Sequence, residues 1–268
     1  MHTSKQSAID AVLQDGWVQS VDWQAEVDST NLVAKRAISS GQEMPALFVA
    51  DSQTAGRGRS SNQWWSPAGC LMLTLAVDET LAPESPTTRP LLALLCGIAV
   101  ADTIRQWFPD EKGLAPRVQL KWPNDVYLDG SKVCGILIES LASPSGSTVW
   151  LIGIGVNVDM DWATAPDEVK RKATCMTRSL GQVITREAVL VQLIDSVQQW
   201  VERWRDGYAW TDCWNERCLL SGKVVRARSP ASQIVGRCEG VDSLGHLLVR
   251  DDQQLHQITA AEILDWQR

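Results

Sequence analysis

Apolar positions along the chain alternate between two periods, and each change of period marks an element. Ser4 to Gln14 has the spacing of a short helix, and Val18 to Val27 then reads as a strand. Asp28-Ser29 offers an N-cap for a helix that runs to about Ser40 and is ended by Gly41. Ala46 to Ala50 is a short unbroken apolar run, a buried strand that delivers the chain into a polar loop from Gln53 to Pro67. Leu71 to Val77 predicts another strand. Pro90 to Trp107 is apolar at helical spacing, and its stripe is assigned to the core.

From Val118 the period returns to two. Val118 to Trp122 predicts a strand, and a hairpin with Asp129-Gly130 as its turn joins Val126–Leu128 to Lys132–Glu139. Ser143 to Ser147 is a turn before the strand Val149 to Val158. Asp159 to Lys172 is polar and irregular and is expected to be a mobile loop. Helices fit Arg186 to Arg205 and Tyr208 to Leu219. Beyond Gly222 the segments Lys223–Ala227, Ile234–Cys238 and His246–Arg250 alternate over short spans, with turns at Ser229-Pro230 and Ser243 to Gly245. Such a tail predicts a small β-barrel, so the expected domains are 1–220 and 221–268.

Composition narrows the function classes. At 44% hydrophobic and 21% charged, the chain is that of an ordinary globular protein, and it has no run of about 18 apolar residues that would read as a membrane span. The start, Met-His-Thr-Ser-Lys-Gln, lacks a basic-then-apolar signal pattern, so a cytoplasmic location is expected. A net charge of -7 disfavours a general nucleic-acid binder, which needs clustered Lys and Arg. The seven cysteines stand singly, and their odd number argues against a disulfide framework. Thirteen tryptophans beside two Phe and two Tyr make Trp the main aromatic for packing.

The chemistry gathers in the loop after Gln53. Gly56-Arg57-Gly58-Arg59 couples flexible backbone to two guanidiniums, groups suited to cradle a phosphate or carboxylate. It does not fit a dinucleotide fingerprint, because Ser60-Ser61 stand where the third glycine belongs, and no Gly-Lys-Ser/Thr makes it a P-loop. Alone it is as readily a solvated basic loop. Its neighbours change that balance. Asp28-Ser29-Thr30-Asn31, Gln53-Thr54-Ala55-Gly56-Arg57-Gly58-Arg59, Trp64 with Ser66-Pro67-Ala68-Gly69, Lys121-Trp122-Pro123-Asn124-Asp125, Lys132-Val133-Cys134-Gly135-Ile136-Leu137 and Gly153-Ile154-Gly155-Val156-Asn157 follow in that order. Together they closely resemble the biotin-protein ligases, strongly over about Val27 to Val158 and weakly in the tail.

The resemblance implies an α+β fold: a mixed-sheet catalytic domain of the class II aminoacyl-tRNA synthetase/biotin ligase type, with a C-terminal SH3-like β-barrel. It implies ATP-dependent attachment of biotin to a lysine of a biotin carboxyl carrier protein, through biotinyl-5'-adenylate, with Mg²⁺ held mainly by the ATP phosphates. Arg57, Arg59, Lys132 and Asp125 carry over as catalytic, with Asp125 orienting and deprotonating the acceptor lysine. Ser29, Thr30, Asn31, Gln53, Gly56, Arg57, Gly58, Arg59, Trp64, Lys132 and Gly135 carry over as biotin contacts. Arg57, Arg59, Trp64, Lys121, Trp122, Asn124, Lys132 and Asn157 carry over as nucleotide contacts. Read singly, Ser29 and Thr30 serve equally as helix caps, Trp122 as core packing and Asn157 as a turn residue.

Some features set limits. Cys70 and Cys134 fall inside the motif region, yet none of the three histidines (His2, His246, His256) lies near either in sequence, so both are read as packing residues. Some members of the family carry a winged helix-turn-helix before the catalytic region. Here 27 mostly acidic-to-neutral residues precede Asp28, and specific DNA binding is not expected. A lipoate-type acyltransferase on the same fold and a non-catalytic biotin or nucleotide binding module are the competing readings. A homodimer through a sheet edge and a monomer fit the same motifs equally.

Overall fold

A computed structural model describes residues 4–60, 62–82, 85, 88–107, 117–229 and 232–267. The helices are α1 (Lys5–Leu13), α2 (Thr30–Ser39), α3 (Thr88–Arg105), α4 (Asp167–Lys172), α5 (Met176–Leu180), α6 (Arg186–Arg205) and α7 (Thr211–Asn215). The first sheet holds β1 (Ser20–Val27), β2 (Ala46–Gln53), β3 (Cys70–Asp78), β4 (Val118–Lys121), β5 (Asp125–Leu128), β6 (Ser131–Ala142) and β7 (Thr148–Asn157). Its order is β1-β2-β3-β7-β6-β5-β4, parallel between β1 and β2 and antiparallel elsewhere. This is the mixed α+β sheet expected.

The two faces of the sheet have different partners. Leu71, Leu73, Leu75, Ile136, Ile138, Ile152 and Ile154 point into the main core with α3 and α6. Helix α3 is apolar all round and buried on nearly every side, as a helix between a sheet and a second helix must be. On the other face α2 packs Ala34 and Ile38 against Phe48, Ala76, Val149 and Leu151. Beyond α2 that face is left open, and the site forms there.

The second sheet contains β8 (Val224–Arg228), β9 (Gln233–Val241), β10 (Leu247–Arg250), β11 (Leu255–Ile258) and β12 (Glu262–Trp266), ordered β11-β10-β9-β8-β12 and antiparallel throughout. It is the C-terminal β module of the SH3-like kind. It docks on the first sheet through the buried Trp122, whose Nε1 donates to Gly245 O at 3.0 Å.

Several expectations need correction. The helix read over Tyr208 to Leu219 is only Thr211–Asn215. The chain leaves it because Leu120 N donates to Arg217 O and Leu219 N to Leu120 O, extending the edge of β4. Asn215 locks the turn by bonding both Val241 N and Val241 O. The segment Asp159 to Lys172 is not irregular throughout: a 3-10 turn at Trp162–Thr164, started by Asp161 Oδ1 on Ala163 N, leads into α4. The sequence reading also lacked α5, β11 and β12. Pro230 of the Ser229-Pro230 turn, Ser61 and His2 lie outside the described residues.

Candidate active site

Residues opposite one another in an antiparallel sheet share a face. One such row runs Lys121, Asp125, Gly135, Gly155, Met72 across five strands. A second row along, Leu137, Gly153 and Thr74, stands on the same face. All of these but the buried Thr74 line an open cleft of about 930 Å³. The glycines leave the floor bare in the middle, with charge at the β4–β5 end and polar groups at the α2 end.

The polar end is built around the start of α2. Ser29 is the N-cap residue but makes no side-chain capping bond. Gln53, at the end of β2, supplies the acceptor instead, its Oε1 taking Thr30 N–H at 2.8 Å while its Nε2 donates to Ser66 Oγ at 2.9 Å. Simple helix capping therefore does not explain Ser29 and Thr30. Both are buried side chains lining the cleft. Behind them Thr74 Oγ1 donates to Asn31 Oδ1 at 2.6 Å and lies 2.9 Å from Thr30 Oγ1. Asn31 Nδ2 donates to Glu139 Oε2 at 2.8 Å. Gly153 is required here, because a Cβ on it would stand 2.4 Å from Asn31 Oδ1.

The loop after β2 closes one side. Gly58 N bonds Asn62 O, and Trp64 N bonds Gly56 O, turning the loop back on itself. Gly56 is packed beneath it: a Cβ there would meet Trp64 O at 2.4 Å and Ser66 Oγ at 2.6 Å. Trp64 lies on the bare floor, so that a Cβ on Gly155 would fall 2.6 Å from its Nε1 and one on Gly135 2.9 Å from its ring. The Trp64 Nε1 is buried and bonded to none of the described residues. Arg57 reaches Glu139, with Nη1 at 3.2 Å from Oε1 and 3.3 Å from Oε2.

The charged end holds three cations around Asp125, with Glu262 from the second sheet beside them. Lys132 Nζ pairs with Asp125 Oδ1 at 2.7 Å and stands 5.4 Å from the Trp64 ring. Arg59 donates to Asn124 Oδ1 at 3.3 Å, and Asn124 Nδ2 in turn donates to Ile136 O at 2.7 Å. Lys121 Nζ sits 4.6 Å over the Trp266 ring. Burial pushes the Lys121 ammonium below the usual lysine range, with Asp125 and Glu262 opposing the shift. Burial acts against the Arg59 guanidinium in the same way, opposed by the same two carboxylates. Cations held this close in a half-closed cleft repel each other and favour an incoming polyanion.

Of the residues singled out from the sequence, Ser29, Thr30, Asn31, Gln53, Arg57, Gly58, Arg59, Trp64, Lys121, Trp122, Asn124, Asp125, Lys132 and Gly135 converge on this cleft. Two do not line it. Gly56 lies under the loop, and Asn157 is buried, with its Nδ2 on Thr174 O at 3.0 Å and its Oδ1 near Cys70 Sγ. Trp122 touches the cleft but is 1% exposed, with its indole N–H committed to the second sheet. The sequence reading missed Thr74, a polar residue within an apolar run of β3, and Glu139 in β6. It also missed the wall from the second sheet, Arg228, Ser229 and Ala260 to Ile263. Cys70 and Cys134 are fully buried, and burial drives both thiols well above the usual range, so they are packing residues.

Comparison with known proteins finds relatives over both parts of the chain. The model of the Biotin/lipoate A/B protein ligase family matches residues 23–159, and that of the Biotin protein ligase C terminal domain matches 220–264. A biotin--[acetyl-CoA-carboxylase] ligase of Paracoccus denitrificans is 33% identical over 248 residues, covering 89% of this chain and 98% of its own. The bifunctional ligase/repressor BirA of Bacillus subtilis is 31% identical over 243 residues, 88% of this chain and 71% of its own. The biotin protein ligase from Aquifex aeolicus, solved in complex with biotin and ATP, superposes with a TM-score of 0.77 at 25% identity, over 93% of this chain and 99% of that one. A site assembled from these motifs, on this sheet, with matches over both parts of the chain, places it in the biotin/lipoate A/B protein ligase family.

Proposed function

We propose that the cleft binds biotin and ATP, joins them as biotinyl-5'-adenylate, and passes the biotinyl group to a lysine of a biotin carboxyl carrier protein. The observation that carries this reading is the gathering of Arg59, Lys121 and Lys132 about Asp125 at one end of a cleft whose other end is the polar Ser29–Asn31 corner. Relatives named as biotin ligases cover nearly the whole chain. The match of 220–264 to a biotin protein ligase C-terminal domain favours biotin over lipoate. We take residues 1–220 as the catalytic domain and 221–268 as the C-terminal one.

In the first step a biotin carboxylate oxygen attacks the α-phosphorus, and the bond to pyrophosphate breaks. An anion must approach a polyanion, so the cations do most of the work by fixing position and neutralising charge. Lys132 stands beside the Gly135 strip and the Trp64 ring that lies on it, and is assigned to the carboxylate and α-phosphate, while Arg59 and Lys121 hold the nucleotide end with Asn124. Mg²⁺ bound with ATP would add charge neutralisation at the phosphates, beside Arg59, Lys121 and Lys132. Among the described residues no group of three His, Cys, Asp or Glu side chains is placed to hold a metal by itself.

In the second step the carrier lysine amine attacks the acyl carbonyl, and AMP leaves. A lysine with a pKa of about 10.4 arrives protonated, so a carboxylate must take its proton. Asp125, paired with Lys132, is the carboxylate assigned to that proton, and loosening the pair frees it.

The test is incubation with ATP, Mg²⁺ and either biotin or lipoate, followed by detection of the acyl adenylate. Biotinyl-5'-adenylate is expected, and Lys132→Ala should lose most of its synthesis. Adenylation of lipoate alone would refute the substrate assignment, and near-parent synthesis by the variant would refute the role of Lys132.

A further inference from the structure

Glu139 projects from the cleft face of β6, two residues beyond Leu137 and four beyond Gly135, and its side chain is 18% exposed. A carboxylate on a strand packed beside apolar neighbours needs donors, and this one has two: the Asn31 amide and the Arg57 guanidinium. The Asn31 contact constrains more than Asn31. With its NH₂ given to a carboxylate, which only accepts, the amide must turn its Oδ1 toward Thr74. The reverse orientation would set Oδ1 against Glu139 Oε2 at 2.8 Å, oxygen against oxygen. Thr74 has a single hydroxyl proton, and at 2.6 Å it goes to Asn31 Oδ1. With the Thr74 proton committed to Asn31, the Thr30 hydroxyl can only give its own proton inward, to Thr74 Oγ1 at 2.9 Å or to Gln53 Oε1 at 3.3 Å. Thr30 is left with oxygen lone pairs and no spare proton at the edge of the cleft.

We infer that Glu139 is a positioning residue: through Asn31 and Thr74 it fixes the direction of this hydrogen-bond chain, so that Thr30 presents an acceptor to a ligand N–H. The inference rests on the biotin reading above, where the ureido group supplies that N–H. Thr74, which is 0% exposed, belongs to the chain from behind the cleft lining, and Gly153 makes room for Asn31. Arg57 is a separate matter, since its bond to Glu139 involves charge and not the direction of the chain.

The experiment is steady-state adenylate formation by the full chain with biotin and ATP·Mg²⁺. Glu139→Ala should raise KM for biotin about five- to tenfold, and any change of kcat or of KM for ATP that comes through the lost Arg57 pair should be shared by Glu139→Gln. Glu139→Gln keeps an oxygen for the Asn31 amide but loses the charge facing Arg57, and should hold KM for biotin near the parent value. Thr74→Val breaks the same chain with little change of shape and should match Glu139→Ala. The double variant Glu139→Ala/Thr74→Val should then be no worse than either single one, because a chain already broken cannot be broken again. Penalties that multiply, a parent-like KM in Glu139→Ala, or equal effects of Ala and Gln on KM for biotin would each overturn the inference. A parent chain that makes no biotinyl adenylate would overturn the biotin reading, and the inference with it, before any variant is compared.

Discussion

Arg59 shows what a single side chain is asked to do. It is drawn into the cleft against the cost of burial, reaches Asn124, and is supported by Asp125 and Glu262 from two different sheets. A charge-assisted bond from it to the adenylate phosphate contributes about 1.5–3 kcal/mol. Arg59→Gly should therefore weaken retention of the adenylate more than its synthesis. The escaping anhydride should label bystander proteins such as albumin, which the parent ignores, and equal dissociation and labelling in both would show that Arg59 does not hold the intermediate. Asp28 makes a different statement. Its pair with Arg36 lowers its carboxyl from 3.8 to about 2, with the Ser29 N–H adding to the effect. A folded pKa below the unfolded one stabilises above pH 3.8, and that contribution disappears as pH falls through about 2. Asp28→Asn should flatten the acid side of the stability curve between those values, as seen by denaturant titration at stepped pH; an unchanged slope would discount the pair. Much at this scale was legible in the sequence, because residues such as Lys121, Asp125 and Lys132 belong to contiguous motifs. Thr74 and Glu139 were not legible, since their role depends on cross-strand neighbours that no local spacing reveals.

At the scale of elements, local chemistry was readable where it decides the backbone. Asp129 and Gly130 both adopt positive φ, at 50° and 76°, the conformation their pair predicts for a two-residue hairpin turn. Distant pairing was not readable: the residues after Asn215 have helical spacing but are captured by the edge of β4. Strands β11 and β12 are short and carry mostly exposed or half-exposed side chains, so their alternation is faint. Yet β12 brings Glu262 to the cleft and Trp266 under Lys121. The attachment of this second sheet can be weakened at Trp122. Trp122→Phe keeps an apolar ring but leaves the buried Gly245 carbonyl without its donor, which costs about 1–3 kcal/mol. Urea unfolding should register that loss together with a raised KM for ATP. A change under about 0.5 kcal/mol would mean that the bond is dispensable.

For the whole molecule, the distribution of charge matters more than its sum. The chain carries a net -7, while Arg59, Lys121 and Lys132 are turned inward on the cleft. Nucleic acid requires the opposite pattern, a basic outer surface that follows the phosphate backbone. In a gel-shift assay this chain should show no sequence-selective binding to DNA, with or without biotin and ATP; a salt-sensitive specific shift would contradict that. The relation between α2 and Gln53 also bears on how the molecule assembles. The first turn of α2 takes its acceptor from a strand 23 residues away, not from its own cap. A helix of ten residues is marginal alone, and this one cannot complete its start until β2 lies beside it. The recognition corner thus comes into being only as the sheet does, and an early, partly folded chain cannot display a premature ligand grip.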